Sequence, residues 1–388
     1  MAATNPMLIV IGVLILTLTI LQTEATIGVC YGRKGQNLPC AQEVVNLYDY
    51  HGIEAMRLYD PDQDTLQALQ STWITLILGT LNEDIQQLAS NQSFTKKWVQ
   101  TNIIPYKNSI KYISVGNEIH PSDPQAPFIL QAMQSILNSL NQNNLGDKIK
   151  VSTAVDTILI ENSYPPSDSR FKNLTYITPI IKFLVDNDSP LLVNIQPYFS
   201  YLNDPKNIRL DYALFKACGT VFIDDNNGLK YQNLFDAIYD AMYVAVQKVL
   251  DGSLTEKLAV NNSKKNQQKK KKVKIVVSES GWPSKGKFHH GRKLGKKDEV
   301  MVKDELGSCG EESIRGEAAT IENAKIYYTN LINHVKKGSP MTPGEGIETY
   351  LFAMFDENEK IGDVSERNFG LFTPDQEPKY GDLDFCGC

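Results

Sequence analysis

Short runs of β-branched and apolar residues recur along the chain and alternate with segments of amphipathic, helical spacing. Eight such runs cover residues 27–32, 55–60, 75–80, 112–118, 150–156, 191–198, 274–281 and 349–357. Helical spacing is clearest at residues 41–50, 129–140, 234–250 and 321–335. Strands that alternate with helices in this way are typical of a parallel sheet with helices packed against it.

Eight strands in a chain of 388 residues favour one α/β domain, a (β/α)8 TIM barrel over residues 26–380, rather than an open doubly wound sheet. A nucleotide-binding alternative is weakened by two missing motifs. No GxGxxG follows the first strand, and no GxxxxGKS occurs anywhere in the chain.

Two polar insertions interrupt the pattern, one on each side of the seventh run. Residues 261–274 are dominated by Lys and Gln, and residues 285–315 are rich in Gly and charge and contain His289-His290. Neither has apolar periodicity, which predicts surface loops or disorder without a role. The alternative is a basic rim that holds anionic polymers through screened charge.

The first 25 residues are predicted to be a signal peptide. Residues 8–21 are nearly all apolar, and Thr23-Glu24-Ala25 places a small residue where a signal peptidase would cut. The apolar run is short for a membrane span of about 20 residues. We therefore expect a secreted protein in the extracellular space or cell wall rather than the vacuole. No stable membrane insertion is expected after cleavage; an uncleaved anchor is the alternative.

Composition excludes several classes of function. A net charge of −6 with 42% hydrophobic residues fits a globular protein and argues neither for nucleic acid nor for an anionic membrane as partner. In an oxidising compartment the six cysteines are able to form disulfides, with Cys30 and Cys40 as one candidate pair. Neither the cysteine nor the histidine spacing matches a metal site, so no metal is predicted. Residues 381–388 are predicted to form a C-terminal tail.

The candidate chemistry is carried by acids at the ends of two predicted strands. Glu279 ends the seventh run before Gly281, Trp282 and Pro283, and Glu118 ends the fourth run. In a closed barrel these ends meet on one face. Two carboxyl groups across a cleft can cut a glycosidic bond, one as acid and the other as nucleophile. Taken alone, Glu279 is equally consistent with an ordinary solvated acid at a strand end.

Several motifs follow one another in a fixed order. They are IGVCYG at 27–32, MRLYD at 56–60, VGNE at 115–118, DYALF at 211–215, VVSESGWP at 276–283 and FAMFDEN at 352–358. Together they resemble plant glycoside hydrolases of family 17, the endo-1,3-β-glucanase group. The resemblance runs from residue 27 to about residue 380, interrupted by the two insertions.

The resemblance implies a secreted, retaining endo-1,3-β-glucanase that cuts internal bonds of callose- or laminarin-type glucan. Glu118 matches the general acid/base of the family and Glu279 its nucleophile. Carboxyl groups in such enzymes lie about 5–5.5 Å apart, and the acid needs a raised pKa. Two carboxyl groups and a water suffice for the reaction, so no cofactor is implied. The partner is a β-1,3-glucan polysaccharide, and we expect a monomer.

Three further charged residues match positions that the family keeps around the cleft. They are Glu357, Lys360 and Glu366, which we assign to orienting the catalytic pair or the sugar. The alternative is a salt-bridged network beneath the site.

Other polar and aromatic residues at strand ends are candidates for sugar binding. By similarity to related retaining barrels, Asn117 bonds the sugar 2-hydroxyl. Tyr31 and Tyr198 offer a hydroxyl or a stacking face, with plain packing as the alternative. The chain departs from the family pattern at Gln196, where members usually carry a tyrosine that faces the sugar.

Two other functions remain open from sequence. One is a β-glucan-binding wall protein on the same scaffold that has lost turnover, which the presence of both carboxylates opposes. The other is an enzyme that hydrolyses mixed 1,3-1,4-β-glucan with the same catalytic pair.

Overall fold

Eight parallel strands close into a barrel in the computed structural model, which describes residues 25–260, 272–286 and 318–385, the side chains of 253–260 apart. The strands are β1 (Ile27–Tyr31), β2 (Ala55–Leu58), β3 (Thr75–Gly79), β4 (Ile110–Asn117), β5 (Lys150–Asp156), β6 (Leu191–Asn194), β7 (Ile275–Ser280) and β8 (Thr349–Leu351). Each pairs with its neighbours in sequence order, and β8 pairs with β1. The predicted (β/α)8 barrel is confirmed.

Helices of very different length connect the strands. They are α1 (Ala41–Tyr50), α2 (Gln63–Leu69), α3 (Ile85–Ser90), α4 (Gln92–Asn102), α5 (Ile129–Gln142), α6 (Leu174–Asp186), α7 (Pro197–Asn203), α8 (Leu210–Ala213), α9 (Leu234–Val260) and α10 (Ile321–His334). Two short antiparallel hairpins accompany them, Ile160–Glu161 with Arg170–Phe171 and Phe222–Ile223 with Lys230–Tyr231.

Three predicted boundaries differ from the structure by four residues or more. The run 191–198 is a strand only to Asn194, because Pro197 opens helix α7, a position for which its fixed φ is suited. The strand of the run 349–357 ends at Leu351, since Ala353 bonds to Phe369 and Leu371. The flanking Phe352 N and Met354 N still donate to the neighbouring strands, at the carbonyls of Ser280 and Cys30. Helix α9, predicted to end at residue 250, extends to Val260.

A charged cluster lies inside the N-terminal end of the barrel, around Glu348. The Glu348 carboxylate is bonded to Lys111 at 2.8 Å and to Lys274 at 2.6 Å. It also accepts hydrogen bonds from the hydroxyls of Tyr112 and Tyr350, at 3.2 and 3.3 Å. Lys274 was counted both in the first polar insertion and in the seventh strand run; in the structure it stands directly before β7 and pairs with Glu348. These contacts stabilise the N-terminal end of the barrel, whereas active sites in this fold lie at the C-terminal end.

Several predictions concern residues outside the described ranges. These are the signal peptide, nearly all of both polar insertions, and the last three residues of the tail. Among the residues that are described, no helix is long and apolar enough to span a bilayer. The candidate Cys30–Cys40 bridge is wrong: both are free, and the buried Cys30 thiol donates to the carbonyl of Ser278 at 3.3 Å, whereas Cys40 is exposed.

Candidate active site

A buried arginine lies at the centre of the C-terminal end of the barrel. Arg57, on β2, is 1% exposed. Its Nη1 donates to Asn194 Oδ1 at 2.8 Å, to the Ser278 carbonyl at 2.9 Å and to Glu279 Oε1 at 2.9 Å. Its Nη2 donates to Asn117 Oδ1 at 2.6 Å. One guanidinium therefore connects side chains from strands β4, β6 and β7, a task suited to its planar fork of donors.

Glu279 is held by two donors on the same oxygen. Besides the ion pair with Arg57, its Oε1 accepts from the hydroxyl of Tyr59 at 2.8 Å. The carboxylate lies at a register shift between β6 and β7, and the Glu279 carbonyl accepts from Ile195 N at 2.8 Å. Within the described residues no donor is bonded to Oε2. The carboxylate is thus fixed by one oxygen while the other is available to a ligand.

Glu118 follows β4 at a turn made by two residues with positive φ. Gly116 has φ 74° and Glu118 has φ 53°. A Cβ on Gly116 would lie 2.8 Å from Cδ1 of Ile85, and the positive φ itself disfavours a residue with a side chain. Left-handed backbone in a residue with a side chain costs about 1–3 kcal/mol, and such strain clusters at active sites. The turn at Glu118 is therefore consistent with a functional position.

The surroundings of Glu118 keep a proton on its carboxyl group. Its Oε1 accepts one hydrogen bond, from Asn194 Nδ2 at 2.7 Å. Burial raises the pKa of Glu118 to about 7, the negative charge of Glu279 adds to the rise, and the bond from Asn194 opposes it. Glu118 can therefore donate a proton at neutral or mildly acidic pH.

Asn194 links the two carboxyl groups. Its Nδ2 donates to Glu118, and its Oδ1 accepts from Arg57 and from Ser278 Oγ, the latter at 2.8 Å. Because Arg57 is in turn bonded to Glu279, a chain of three hydrogen bonds connects the two acids. The predicted pair is brought together in one network.

Two of the three predicted charged residues after β8, Glu357 and Lys360, form an ion pair. Glu357 is 4% exposed; its Oε1 accepts from Lys34 N at 3.0 Å and its Oε2 pairs with Lys360 Nζ at 2.8 Å. Lys360 Nζ lies 4.3 Å from the ring centroid of Phe352. Burial raises the pKa of Glu366, Lys360 opposes the rise, and Glu279 adds to it. The Glu357–Lys360 ion pair is the part of the predicted salt-bridged network that the structure shows, and contact with sugar stays a prediction.

Asn117 joins the catalytic network, whereas the two tyrosines are enclosed by packing. Tyr31 is 4% exposed and lies edge-on to Phe355, with burial raising its pKa to about 12. Tyr198 is 1% exposed, with its ring 5.2 Å from that of Trp282. These contacts are those expected of the packing alternative, and a role of either tyrosine in sugar binding stays a prediction.

The residues that hold the pair were not identified from sequence. Arg57 and Tyr59 occur within a quoted motif but received no role, and Ser278 and Asn194 received none either. A signal was present: a charged side chain in the middle of the apolar run 55–60, with an aromatic two residues later on the same face of the strand.

The fold and these contacts define a class of protein. Two carboxyl groups meet at the C-terminal end of a (β/α)8 barrel, where this fold carries its catalytic residues. One is oriented by Arg57 and Tyr59, and the other holds a proton near neutral pH. That difference is what a glycoside hydrolase requires of its acid and its nucleophile. Within the described ranges, no group of three or more potential metal-ligating His, Cys, Asp or Glu residues occurs.

Comparison with known proteins identifies the family. The model of glycosyl hydrolases family 17 matches residues 27–311 and 293–385. The chain belongs to glycosyl hydrolases family 17 and is a glycoside hydrolase.

Named relatives are similar along nearly their whole length. The chain is 47% identical to a glucan endo-1,3-β-glucosidase of Vitis vinifera, over 92% of this chain and 90% of the relative. It is 44% identical to an acidic isoform of that enzyme from Nicotiana tabacum, over 92% and 93%.

Solved structures agree with the barrel. A β-1,3-glucanase and allergen of Cryptomeria japonica pollen superposes with a TM-score of 0.76 at 38% identity, over 93% of this chain and 99% of that one. A second structure, from a study of two plant β-glucan endohydrolases with distinct substrate specificities, gives a TM-score of 0.75 at 36% identity, over 92% and 99%.

Proposed function

We propose that the protein is a retaining endo-1,3-β-glucanase that cuts internal linkages of callose- or laminarin-type glucans. The linkage is supported by the names of its relatives, which are similar to it over about nine-tenths of their length. The observation that carries the mechanism is the unequal environment of the two acids. Glu279 accepts from a guanidinium and a phenol, whereas Glu118 accepts from an amide and has its pKa raised to about 7.

In the first step Glu279 attacks the anomeric carbon of the bound glucan. The bond from that carbon to the glycosidic oxygen breaks, and Glu118 gives its proton to that oxygen, so the leaving chain departs as a neutral alcohol. Arg57 and Tyr59 hold one oxygen of Glu279 in place during this attack. A covalent glycosyl-enzyme results.

In the second step the roles of Glu118 change. As a carboxylate it takes a proton from a water molecule whose oxygen attacks the anomeric carbon, and the bond to Glu279 breaks. Two inversions at one carbon leave its configuration retained. In the intermediate Glu279 is an ester and carries no charge. An ionised Glu118 is then easier to accommodate, because Glu279 no longer repels it.

Turnover of laminarin tests the proposal. We expect short oligosaccharides whose reducing ends first appear as the β-anomer in NMR. Glu279→Gln should abolish their release without unfolding the protein, while the matched control Glu322→Gln, on the exposed start of α10, should keep the wild-type rate. An α-anomer as first product would reject the retaining mechanism.

Two alternatives have their own outcomes in the same assay. Barley β-glucan cleaved in preference to laminarin would indicate a mixed-linkage hydrolase. Binding of laminarin by the wild-type protein without release of reducing ends would indicate a non-catalytic glucan-binding protein, a reading opposed by the proton-retaining environment of Glu118.

We further propose that the mature enzyme is a secreted monomer of the extracellular space or cell wall. The support is the apolar segment at 8–21 with its small-residue cleavage site at 23–25. Expression in a plant cell should give a mature N-terminus near Thr26 and one subunit per particle by light scattering. An intact leader on membrane-bound protein would contradict secretion.

A further inference from the structure

The side chain of Gln196 is bonded to the turn that follows Glu279. Gln196 stands between β6 and α7 as the N-cap residue of the helix, yet it makes no side-chain capping bond. Its Oε1 instead accepts from Gly281 N at 3.0 Å. An N-terminal helix position normally uses a polar side chain for its own N–H groups. Here the side chain bonds the turn after Glu279 and not the helix that it precedes.

This bond continues the pairing of β6 with β7 beyond the end of the strand. Val193 pairs with Val277, and after a register shift Asn194 pairs with Glu279. Ile195 N then donates to the Glu279 carbonyl at 2.8 Å. Gln196 Oε1 accepts from Gly281 N in place of a main-chain carbonyl. The backbone is therefore tied to β6 at Glu279 and again two residues later.

The turn itself leaves little room for adjustment. Ser280 Oγ lies 2.6 Å from Tyr327 OH, and Trp282 N donates to Tyr328 OH at 3.3 Å. A Cβ on Gly281 would lie 2.2 Å from the carbonyl oxygen of Phe352. Contacts from α10 and from Phe352, which follows β8, thus constrain the turn, and the Gln196 side chain adds a hydrogen bond from the β6–α7 junction.

We propose that Gln196 is a positioning residue that sets the placement of the Glu279 carboxylate by holding the backbone at Gly281. The inference rests on the proposed role of Glu279 as nucleophile. A carboxylate that must reach an anomeric carbon is sensitive to small shifts of its backbone, since a misplacement of about 1 Å can cost about 100-fold in rate. Gln196 acts on the reaction through Glu279 and not through the sugar.

Two substitutions separate the hydrogen bond from the shape of the side chain. Gln196→Met keeps the length but removes the acceptor, whereas Gln196→Glu keeps an oxygen that can accept from Gly281 N. Gln142→Met, at the exposed end of α5, is the matched control. We expect Gln196→Met to lower kcat about tenfold or more with KM for laminarin unchanged, because misplacement affects the reacting group. Gln196→Glu, measured at its own pH optimum, should recover most of that loss.

A second readout is the rate of covalent trapping. The reagent is a β-1,3-linked glucose oligosaccharide that ends in a 2-deoxy-2-fluoro glucosyl fluoride, which forms a glycosyl-enzyme that turns over slowly. The rate constant for trapping at saturation should fall in Gln196→Met in parallel with kcat, and not in Gln142→Met. The labelled peptide of the wild-type enzyme shows whether Glu279 is the nucleophile. Failure of the proposed mechanism is therefore distinguished from failure of the inference about Gln196.

Three results would overturn the inference. A rise in KM with unchanged kcat in both Gln196 variants would make Gln196 a sugar-binding residue. A lower melting temperature of the Gln196 variants with unchanged kinetic constants would show that Gln196 has only a structural role. A Gln196→Glu variant as slow as Gln196→Met at every pH would show that the acceptor oxygen is not what matters.

Discussion

Nη1 of Arg57 lies 2.9 Å from Oε1 of Glu279, and the guanidinium is 1% exposed. The same nitrogen bonds Asn194, which carries the hydrogen bond to Glu118. A buried ion pair of this kind contributes little net stability, because desolvation of both charges offsets their attraction. Its consequence here is orientation: it fixes one oxygen of Glu279 and connects both acids to one rigid group.

Replacing Arg57 by Lys should therefore affect activity far more than fold. A single ammonium cannot reach the four acceptors that the guanidinium bonds, so Glu279 loses its fixed orientation. We expect kcat/KM on laminarin to fall by about 100- to 1,000-fold, the range found when one preorganised donor is removed from an active site. Arg170→Lys, an exposed arginine paired with Glu161, is the control and should behave as wild type. Near-normal activity of Arg57→Lys would contradict the orienting role.

The pH profile should report the protonated state of Glu118. Because its pKa is raised to about 7 and the acid must hold its proton, kcat/KM should fall as pH rises through about 7. Asp156 contributes to the rise of that pKa, so Asp156→Asn should move this fall, the alkaline limb of the profile, to lower pH. Asp49→Asn, at an exposed position of α1, should leave the limb in place. A shift of this part of the profile to higher pH in Asp156→Asn would contradict the assignment to Glu118.

The same shift has a cost in stability. A carboxyl group whose folded pKa is raised contributes stability that is complete below its unfolded pKa and is lost as pH rises through the folded value, here about 7. Glu118→Gln should therefore raise the melting temperature at alkaline pH while leaving it nearly unchanged below the unfolded pKa. Thermal unfolding across this range measures the difference. A lower melting temperature at alkaline pH would contradict it.

Glu348 should behave in the opposite way, because it serves the fold. Burial alone would raise its pKa, but Lys274 and Lys111 outweigh burial and lower it. Its stabilising contribution is present above the unfolded pKa and is lost as pH falls through the folded pKa. Glu348→Gln should destabilise the barrel by about 1–3 kcal/mol near neutral pH, as expected when buried donors lose a charged acceptor. Activity at a temperature where the variant is folded should be unchanged, and denaturant unfolding measures the loss.

The barrel and the two acids were accessible from sequence for a simple reason. Buried parallel strands appear as continuous apolar runs, and the two acids stand at the ends of such runs within motifs that follow the order of the family. The boundaries after Asn194 and Leu351 were not accessible, because they depend on which partner the next residues bond. No role was assigned to Arg57 from sequence, because its role depends on its acceptors. Those acceptors come from three other strands, which the sequence does not place beside it. The Gln196 bond likewise joins residues 85 positions apart.

Trapping of the glycosyl-enzyme tests the central assignment most directly. The wild-type protein, incubated with the 2-deoxy-2-fluoro glucosyl fluoride and digested, should give one modified peptide with the sugar on Glu279, and laminarin oligosaccharides should protect against labelling. Modification of Glu118, or turnover of laminarin with no covalent species detected under conditions that trap other retaining enzymes, would contradict the mechanism.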